Sequence, residues 1–228
     1  MLQQLHDNLW IADMPASRLG FEFGARMTIV RLKSGELWIH SPIELDPFKA
    51  EIDALGKVGF VVSPFRFHYM HLAEFAIAYP EAKFYAPPGL NMEKFKEVRF
   101  AGRLKDGPRL EWKDEIDQLA IKGNALDNEI VFFHKPSRSL IVADLCFNIP
   151  HDRSKLTTAL AGALGVLDHM APSRNFKIMT RNASLVRQTI KRILKWDFQR
   201  VILSHGNIVE TDAKAKFREG FSYLLRGR

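Results

Sequence analysis

The chain has 228 residues, 46% of them hydrophobic, which is enough to bury one large core or two modest ones, and we expect the simpler arrangement, a single domain over residues 1–228. No apolar run approaches the roughly 18 residues of a transmembrane helix, and the N-terminus lacks a basic region followed by an apolar one, so we expect a cytoplasmic protein without a membrane segment. The formal net charge of +7 allows an anionic partner. The two densest basic groups, residues 94–105 and 177–195, are not interleaved with exposed-looking aromatic residues in the way that single-strand binding usually requires, which disfavours nucleic-acid binding.

The first third of the chain predicts a β-hairpin followed by a short helix. Three apolar-rich runs open the chain: Leu9–Ala16, Met27–Leu32 and Glu36–Ile43. The last two are separated by the turn signal Lys33-Ser34-Gly35, which is typical of a hairpin. Residues 48–55 place Phe48, Ile52 and Leu55 on one side of a helix, and Gly56 follows in the usual position for a helix end.

The stretch Gly59–Phe75 is the centre of the predicted organisation. Its apolar run reads as a buried strand that stops at Ser63-Pro64, because proline cannot donate to a strand ladder. Helical spacing follows it in Leu72, Phe75, Ala76 and Tyr79. His68 and His71 therefore lie at or near the start of a helix, at a corner of the kind where α/β proteins place their chemistry.

The remaining elements alternate between strands and helices, which favours a layered α/β fold. We predict a strand at 82–86 ended by Pro87-Pro88-Gly89, a short helix and a loop over 91–107, and strands at 119–121, 128–134, 139–145 and 201–204. The strands at 128–134 and 139–145 should form a second hairpin. Ser184–Trp196 is an amphipathic helix with Leu185, Ile190, Ile193 and Leu194 towards the core, and a last helix carries Phe217, Phe221 and Leu224.

Two later corners match the central one. The apolar run that begins at Ser139 leads to Asp144, and the run that begins at Arg200 leads to His205. Strand ends that carry His, Asp and His predict one site assembled from distant parts of the sequence. The only cysteine, Cys146, excludes an internal disulfide, and its place in an apolar strand indicates a buried thiol rather than a nucleophile.

This order of elements resembles the metallo-β-lactamase superfamily over most of the chain. The landmarks are the opening hairpin, the corner after Gly59, the paired strands that end in Asp144 and the last strand that ends in Ser204-His205-Gly206. The resemblance implies a four-layer αββα sandwich with a site at the strand ends. It also implies one or two metal ions, most often zinc, that activate water for hydrolysis.

The superfamily motif Thr-His-x-His-x-Asp-His lies over residues 63–69 but is degenerate. Pro64 and Arg66 occupy the first two histidine places, and Asn124 occupies that of a further histidine. The first metal position is therefore offered no imidazole, and the cationic Arg66 repels a metal ion. The second position is offered His68, Asp144 and His205, a set that suits one zinc or iron ion, and a shifted alignment adds His71 as a ligand.

Two functions follow, and the sequence leaves both open. In the first, the protein is a metal-dependent hydrolase that acts on an ester, thioester, lactone or phosphoester, with Asp144 or His40 orienting water and Arg66 stabilising an oxyanion or holding an anionic group. In the second, the metal is lost, Arg66 neutralises Asp144, and the cleft of this pseudoenzyme binds a small anionic ligand. A nucleic-acid-binding module is the least favoured function.

Overall fold

The structure, a computed structural model, describes residues 1–125 and 129–226, and these residues form thirteen strands and seven α-helices. The strands are β1 (Gln3–His6), β2 (Leu9–Met14), β3 (Ser17–Arg18), β4 (Phe21–Glu22), β5 (Ala25–Arg31), β6 (Leu37–His40), β7 (Val58–Val62), β8 (Lys83–Ala86), β9 (Phe100–Arg103), β10 (Ile116–Ala120), β11 (Ile130–His134), β12 (Ser139–Val142) and β13 (Arg200–Leu203). The helices are α1 (Lys49–Leu55), α2 (Leu72–Ala78), α3 (Lys155–Leu164), α4 (Arg174–Ile178), α5 (Ala183–Ile193), α6 (Ala213–Gly220) and α7 (Ser222–Leu225). Two short 3-10 helices lie at Asp46–Phe48 and Met92–Lys94.

The chain divides into two compact units, each with its own main sheet. Unit 1 contains Met1–Met14 and Arg26–Lys105, and unit 2 contains Pro15–Ala25 and Asp106–Arg228. The single domain expected over residues 1–228 stays a prediction. Among the described residues, no helix combines the length and the hydropathy of a membrane span.

Unit 1 is built on a seven-stranded sheet with the order β1-β2-β5-β6-β7-β8-β9. The predicted hairpin is confirmed, since β5 pairs antiparallel with β6 from Thr28 opposite His40 to Arg31 opposite Leu37. The strands from β6 to β9 pair in parallel. Because parallel strands end at the same edge of a sheet, the residues after β6 and β7 become neighbours.

The helices of unit 1 follow the sequence pattern, while strands β1 and β9 were not predicted. Helix α1 buries Ile52 and ends at Gly56, whose φ of +150° suits glycine. The segment 91–107, predicted as a short helix and a loop, contains strand β9 after its 3-10 turn. Its sequence, Phe-Ala-Gly-Arg, has little β-propensity, so the strand depends on its pairing with β8 rather than on local preference.

Unit 2 is built on a four-stranded sheet with the order β10-β11-β12-β13, beside the small pair β3-β4. The second hairpin is confirmed by the antiparallel pairing of β11 with β12, although Asn128, where this strand was predicted to begin, lies outside the described residues. Strands β12 and β13 are parallel, with Val142 opposite Leu203. The two chain segments that leave these strands therefore start side by side.

The apolar core of unit 2 lies between its sheet and helices α5 to α7. Cys146 is fully buried in it, and burial raises the pKa of its thiol, which confirms the prediction of a buried, unreactive cysteine.

Helix α5 buries Val186, Ile190 and Ile193, while the predicted core residue Leu185 is 39% exposed. Ile190 and Ile193 are therefore confirmed as core residues and Leu194 packs against the core, while Val186 takes the core place predicted for Leu185. Helix α4 was not predicted, and it begins at a capping hydrogen bond from the Phe176 N–H to the Ser173 hydroxyl.

Candidate functional site

Asp144 and His205, two of the predicted site residues, are in contact in unit 2. Each stands two residues beyond the end of its strand, and the parallel pairing of β12 with β13 brings these positions together. Nε2 of His205 lies 3.1 Å from Oδ1 of Asp144. Both side chains are mostly shielded from water, with exposures of 10% for His205 and 24% for Asp144.

The ring of His205 is held in one orientation by three neighbours. Its Nδ1 lies 2.6 Å from the carbonyl oxygen of Gly24. The ring of Phe147 stacks on it at 5.6 Å with an interplanar angle of 8°, and Phe23 meets it edge-on at 5.0 Å. A backbone carbonyl only accepts hydrogen bonds, so Nδ1 carries the proton in this contact.

This tautomer has a consequence for the contact between His205 and Asp144. In a neutral ring with the proton on Nδ1, Nε2 presents a lone pair, and it faces a carboxylate oxygen that also presents lone pairs. The contact is stable if a second proton is bound to the ring or to Asp144, or if a cation lies close to both atoms. An imidazole nitrogen beside a carboxylate oxygen is also a donor pair that zinc and iron accept.

Gly206 makes the turn after His205 possible. Its φ is +84°, and a Cβ at this position would lie 2.1 Å from the carbonyl oxygen of Asn148. That carbonyl accepts a hydrogen bond of 2.8 Å from the N–H of Asn207. The close approach fixes the loop that carries His205 against the segment that follows Asp144, and only glycine fits there.

Glu129 fixes the backbone at Asp144, and it was not among the predicted site residues. It is 5% exposed, its Oε1 accepts a hydrogen bond of 2.8 Å from the N–H of Ala143, and its Oε2 accepts one of 3.0 Å from the N–H of Asp144. Burial, and then the negative charge of Asp144, raise the pKa of Glu129 to about 8, although these hydrogen bonds act in the opposite direction. Nothing in the sequence around Glu129 marked it, because its role depends on the backbone N–H groups that follow β12, the partner strand of its hairpin.

His68 lies in unit 1, in the turn between β7 and α2. Its backbone N–H donates to the carbonyl of Phe65 at 2.9 Å, which closes the turn, and its Nδ1 is hydrogen-bonded to the hydroxyl of Ser41. Ser41 directly follows β6 and has a φ of +55°, an uncommon conformation for serine. The Ser41 contact orients the ring and leaves Nε2 as its ligand atom. Ser41 was also missed by sequence reasoning, since a serine before a proline is an ordinary turn signal.

His40 is fully buried at the end of β6 and stacks on Trp38 at 5.7 Å. Burial, and then the charge of nearby His68, lower the pKa of His40 well below its ordinary value of 6.5. The side chain is therefore neutral at pH 7. A neutral imidazole can orient a polar neighbour, which is compatible with the role predicted for His40.

Arg66 and His71, the remaining predicted site residues, have local partners in unit 1. The guanidinium of Arg66 lies 4.9 Å from the centre of the Phe67 ring, which is a cation–π contact, and Phe67 is 51% exposed. Nδ1 of His71 lies 3.0 Å from Oε2 of Glu74 in the first turn of α2, and Oε1 of the same Glu74 accepts from the N–H of Leu45. His71 thus supports the start of the helix, and its role as a ligand stays a prediction.

Asn124, which stands in a histidine place of the superfamily motif, is used for packing within unit 2. It is 3% exposed, and its amide nitrogen donates to the carbonyl of Phe176 at 2.7 Å and to the hydroxyl of Thr180 at 3.1 Å. These bonds tie the loop after β10 to helix α4. The side chain has a structural role that accounts for its burial.

The fold is similar to that of solved metallo-β-lactamases. DIM-1 metallo-β-lactamase exposed to ceftazidime superposes with a TM-score of 0.70 at 13% identity, over 98% of this chain and 96% of that chain. A metallo-β-lactamase from Hirschia baltica gives 0.63 at 15% identity, over 100% and 98%. The metal-soaked Flv1 flavodiiron core from Synechocystis sp. PCC6803 gives 0.71 at 12% identity, over 98% of this chain and 60% of that one. The predicted metallo-β-lactamase fold and α/β class are therefore confirmed.

Sequence comparison gives a more specific assignment. The chain belongs to the family described as a domain of unknown function, DUF4336, whose profile matches residues 6–176. Comparison with curated proteins finds no match. The matched range includes His68, Asp144 and Glu129, while His205 lies beyond it.

Proposed function

We propose that the protein is a metal-dependent hydrolase with one metal ion, held by His68, Asp144 and His205. The observation that carries the proposal is the arrangement of His205, whose Nδ1 is committed to the Gly24 carbonyl while Nε2 lies 3.1 Å from Oδ1 of Asp144. His68, which follows β7 in unit 1, is the third ligand predicted from the sequence, and its Nδ1 is likewise engaged, by the Ser41 hydroxyl. The names of the similar solved structures, two metallo-β-lactamases and a metal-soaked flavodiiron core, support the same class.

The donor set defines the ion and the chemistry. Two imidazoles and one carboxylate suit zinc or iron and leave coordination places for water and substrate. Such an ion, when bound, supplies Lewis acidity for the attack of water on an ester, thioester, lactone or phosphoester. A binuclear centre is not part of the proposal, because Pro64 and Arg66 offer no ligand atom and Asn124 is committed to the Phe176 carbonyl.

Neighbouring residues of the chain orient the proposed metal ligands. The Gly24 carbonyl and the Ser41 hydroxyl each engage Nδ1 of one histidine, so that Nε2 is the ligand atom in both rings. Glu129 holds the backbone N–H of Asp144 and thereby sets the direction of its side chain. Arg66 is the cation that would receive an anionic group of the substrate, and the neutral His40 would orient a polar group beside His68.

Metal content tests the proposal directly. The protein is purified without an affinity tag or chelator, and its zinc, iron and manganese are measured by elemental mass spectrometry. We expect about one equivalent of metal in the parent protein and none in the double variant His68→Ala, His205→Ala. The matched control is His151→Ala, His169→Ala, which removes two exposed imidazoles and should keep the metal. Equal metal in both double variants, or none in the parent after incubation with zinc and iron, would refute the proposal.

A metal-free protein that binds a small anionic ligand is the second candidate. The same 3.1 Å contact between Nε2 of His205 and Oδ1 of Asp144 is also the geometry of a histidine–carboxylate pair, which needs no metal. The two candidates differ in thermal stability. Chelator treatment should lower the unfolding temperature of a metalloprotein and leave that of a metal-free protein unchanged, because a ligand that binds only the folded state stabilises it.

A further inference from the structure

A cleft in unit 2 lies between α5 and the pair α6 and α7, and the proposed hydrolase does not use it. Its volume is about 800 Å³. Small-molecule sites in proteins typically occupy roughly 300–1,000 Å³, so the cleft has room for one organic molecule. All of its lining residues belong to the segment from Lys191 to Arg226.

Positive side chains dominate this cleft. The lining includes four cations and one carboxylate, namely Lys191, Lys195, Arg218, Arg226 and Glu219. Within the part of the chain that the structure describes, none of the four cations has an ion pair or a side-chain hydrogen bond. Neighbouring cations that do not line the cleft are engaged: Arg192 binds Asp106 at 2.8 Å, and Lys214 donates to the Trp196 carbonyl at 2.8 Å.

Such an arrangement attracts a counter-charge. Lys191 and Lys195 are four positions apart along α5 and its last turn, so their ammonium groups share one face and repel each other. Arg218 and Arg226 add further positive charge from the opposite wall. An anion with several charges would relieve this repulsion and would meet donors that are not already engaged.

The lining of the cleft also has an apolar component. Leu194 and Leu225 belong to it, together with the hydroxyl-bearing Ser222. The described lining contains no aromatic side chain, which argues against stacking of successive nucleic-acid bases.

We propose that this cleft binds a small molecule that carries a di- or triphosphate group on an apolar or aromatic body, as a nucleoside triphosphate does.

The test measures binding of ATP and of inorganic tripolyphosphate to the full chain by calorimetry. The chelator EDTA is present throughout, so that the candidate metal centre does not contribute. The variant Lys191→Gln, Lys195→Gln should bind ATP about tenfold more weakly than the parent protein at about 50 mM salt, because two charge contacts are lost. The control Lys94→Gln, Lys96→Gln removes the same charge from an exposed segment of unit 1 and should leave the affinity unchanged.

Two further measurements complete the test. Lys191→Arg, Lys195→Arg keeps the charges and should retain binding, which separates loss of charge from loss of fold. ATP should bind more tightly than tripolyphosphate, because only ATP has a body that reaches Leu194 and Leu225. The proposal is overturned by no binding of ATP, by equal weakening in both Gln variants, by no advantage of ATP over tripolyphosphate, or by a single-stranded oligonucleotide that displaces ATP and binds more tightly.

Discussion

Glu129 accepts a hydrogen bond of 3.0 Å from the backbone N–H of Asp144, so a buried carboxyl group fixes the backbone from which the candidate metal ligand projects. Its other oxygen accepts from Ala143, one residue earlier. The N–H groups at the end of a strand would otherwise be buried without acceptors, which is costly. A single side chain thus closes the end of β12 and sets the direction of Asp144.

Glu129→Gln should lower stability most at acidic pH. Because the pKa of Glu129 rises from its ordinary 4.5 to about 8, the folded state binds its proton more tightly than the unfolded state. This contribution to the free energy of unfolding is present below pH 4.5 and is lost as the pH rises towards 8. The amide of Gln has only one oxygen that can accept, so one of the two backbone N–H groups loses its acceptor, which costs about 1–3 kcal/mol in the free energy of unfolding.

Urea unfolding of chelator-treated protein between pH 5 and pH 8 measures the effect. The difference in the free energy of unfolding between the parent and Glu129→Gln should narrow as the pH rises. The exposed variant Glu93→Gln should follow the parent, and a difference that widens with pH would contradict the argument.

Asp144→Asn should weaken zinc binding by about 100-fold or more. Loss of a residue that only supports a ligand costs roughly 10- to 100-fold in metal affinity, and loss of the ligand's own charge costs at least as much. A competition titration with a chromophoric chelator measures the change. His71→Ala is the informative partner variant, because His71 is bound to Glu74 and should leave the zinc affinity within about twofold. If His71→Ala lowered the zinc affinity as much as Asp144→Asn does, His71 would itself be a metal ligand.

Much of the fold could be predicted because each signal for it is local. The turn at Lys33-Ser34-Gly35, the stop at Pro64 and the helical spacing after Leu72 all act within a few residues. Strand β9 and helix α4 escaped prediction for the opposite reason. β9 depends on a neighbouring strand, and α4 is five residues long, too short to display a period.

The same contrast between local and non-local signals separates the site residues that could be predicted from those that could not. Asp144 and His205 could be found from sequence, because polar residues that follow apolar strands are visible in the chain. Glu129 and the Gly24 carbonyl could not, since an acidic residue at the start of a predicted strand carries no sign of its backbone partners and the other group belongs to the backbone. Such supporting groups become apparent only when the pairing of distant strands is known.

His40 should remain neutral across the physiological pH range. Burial, followed by the charge of His68, lowers its pKa well below 6.5, so the folded state binds this proton more weakly than the unfolded state. The contribution of His40 to stability is therefore full above pH 6.5 and is lost as the pH falls through the lowered value. Imidazole NMR resonances of His40 should not shift between about pH 6 and pH 8. The exposed His151 is an internal control, because its hydrogen bond to Asp168 raises its pKa above 6.5 and its resonances should titrate.

Gly206→Ala should destabilise the protein and displace His205. The new Cβ would lie 2.1 Å from the Asn148 carbonyl oxygen, and the φ of +84° is itself unfavourable for alanine. Gly107→Ala separates the two effects, because Gly107 has a φ of +86° with nothing within 4 Å of a Cβ. We expect a loss of about 1 kcal/mol for Gly107→Ala, from backbone strain alone, and about 3 kcal/mol or more for Gly206→Ala. Urea unfolding measures both, and elemental analysis should show that only Gly206→Ala loses metal. Equal losses of stability would mean that the loop relaxes away from Asn148, and that this close approach does not fix His205.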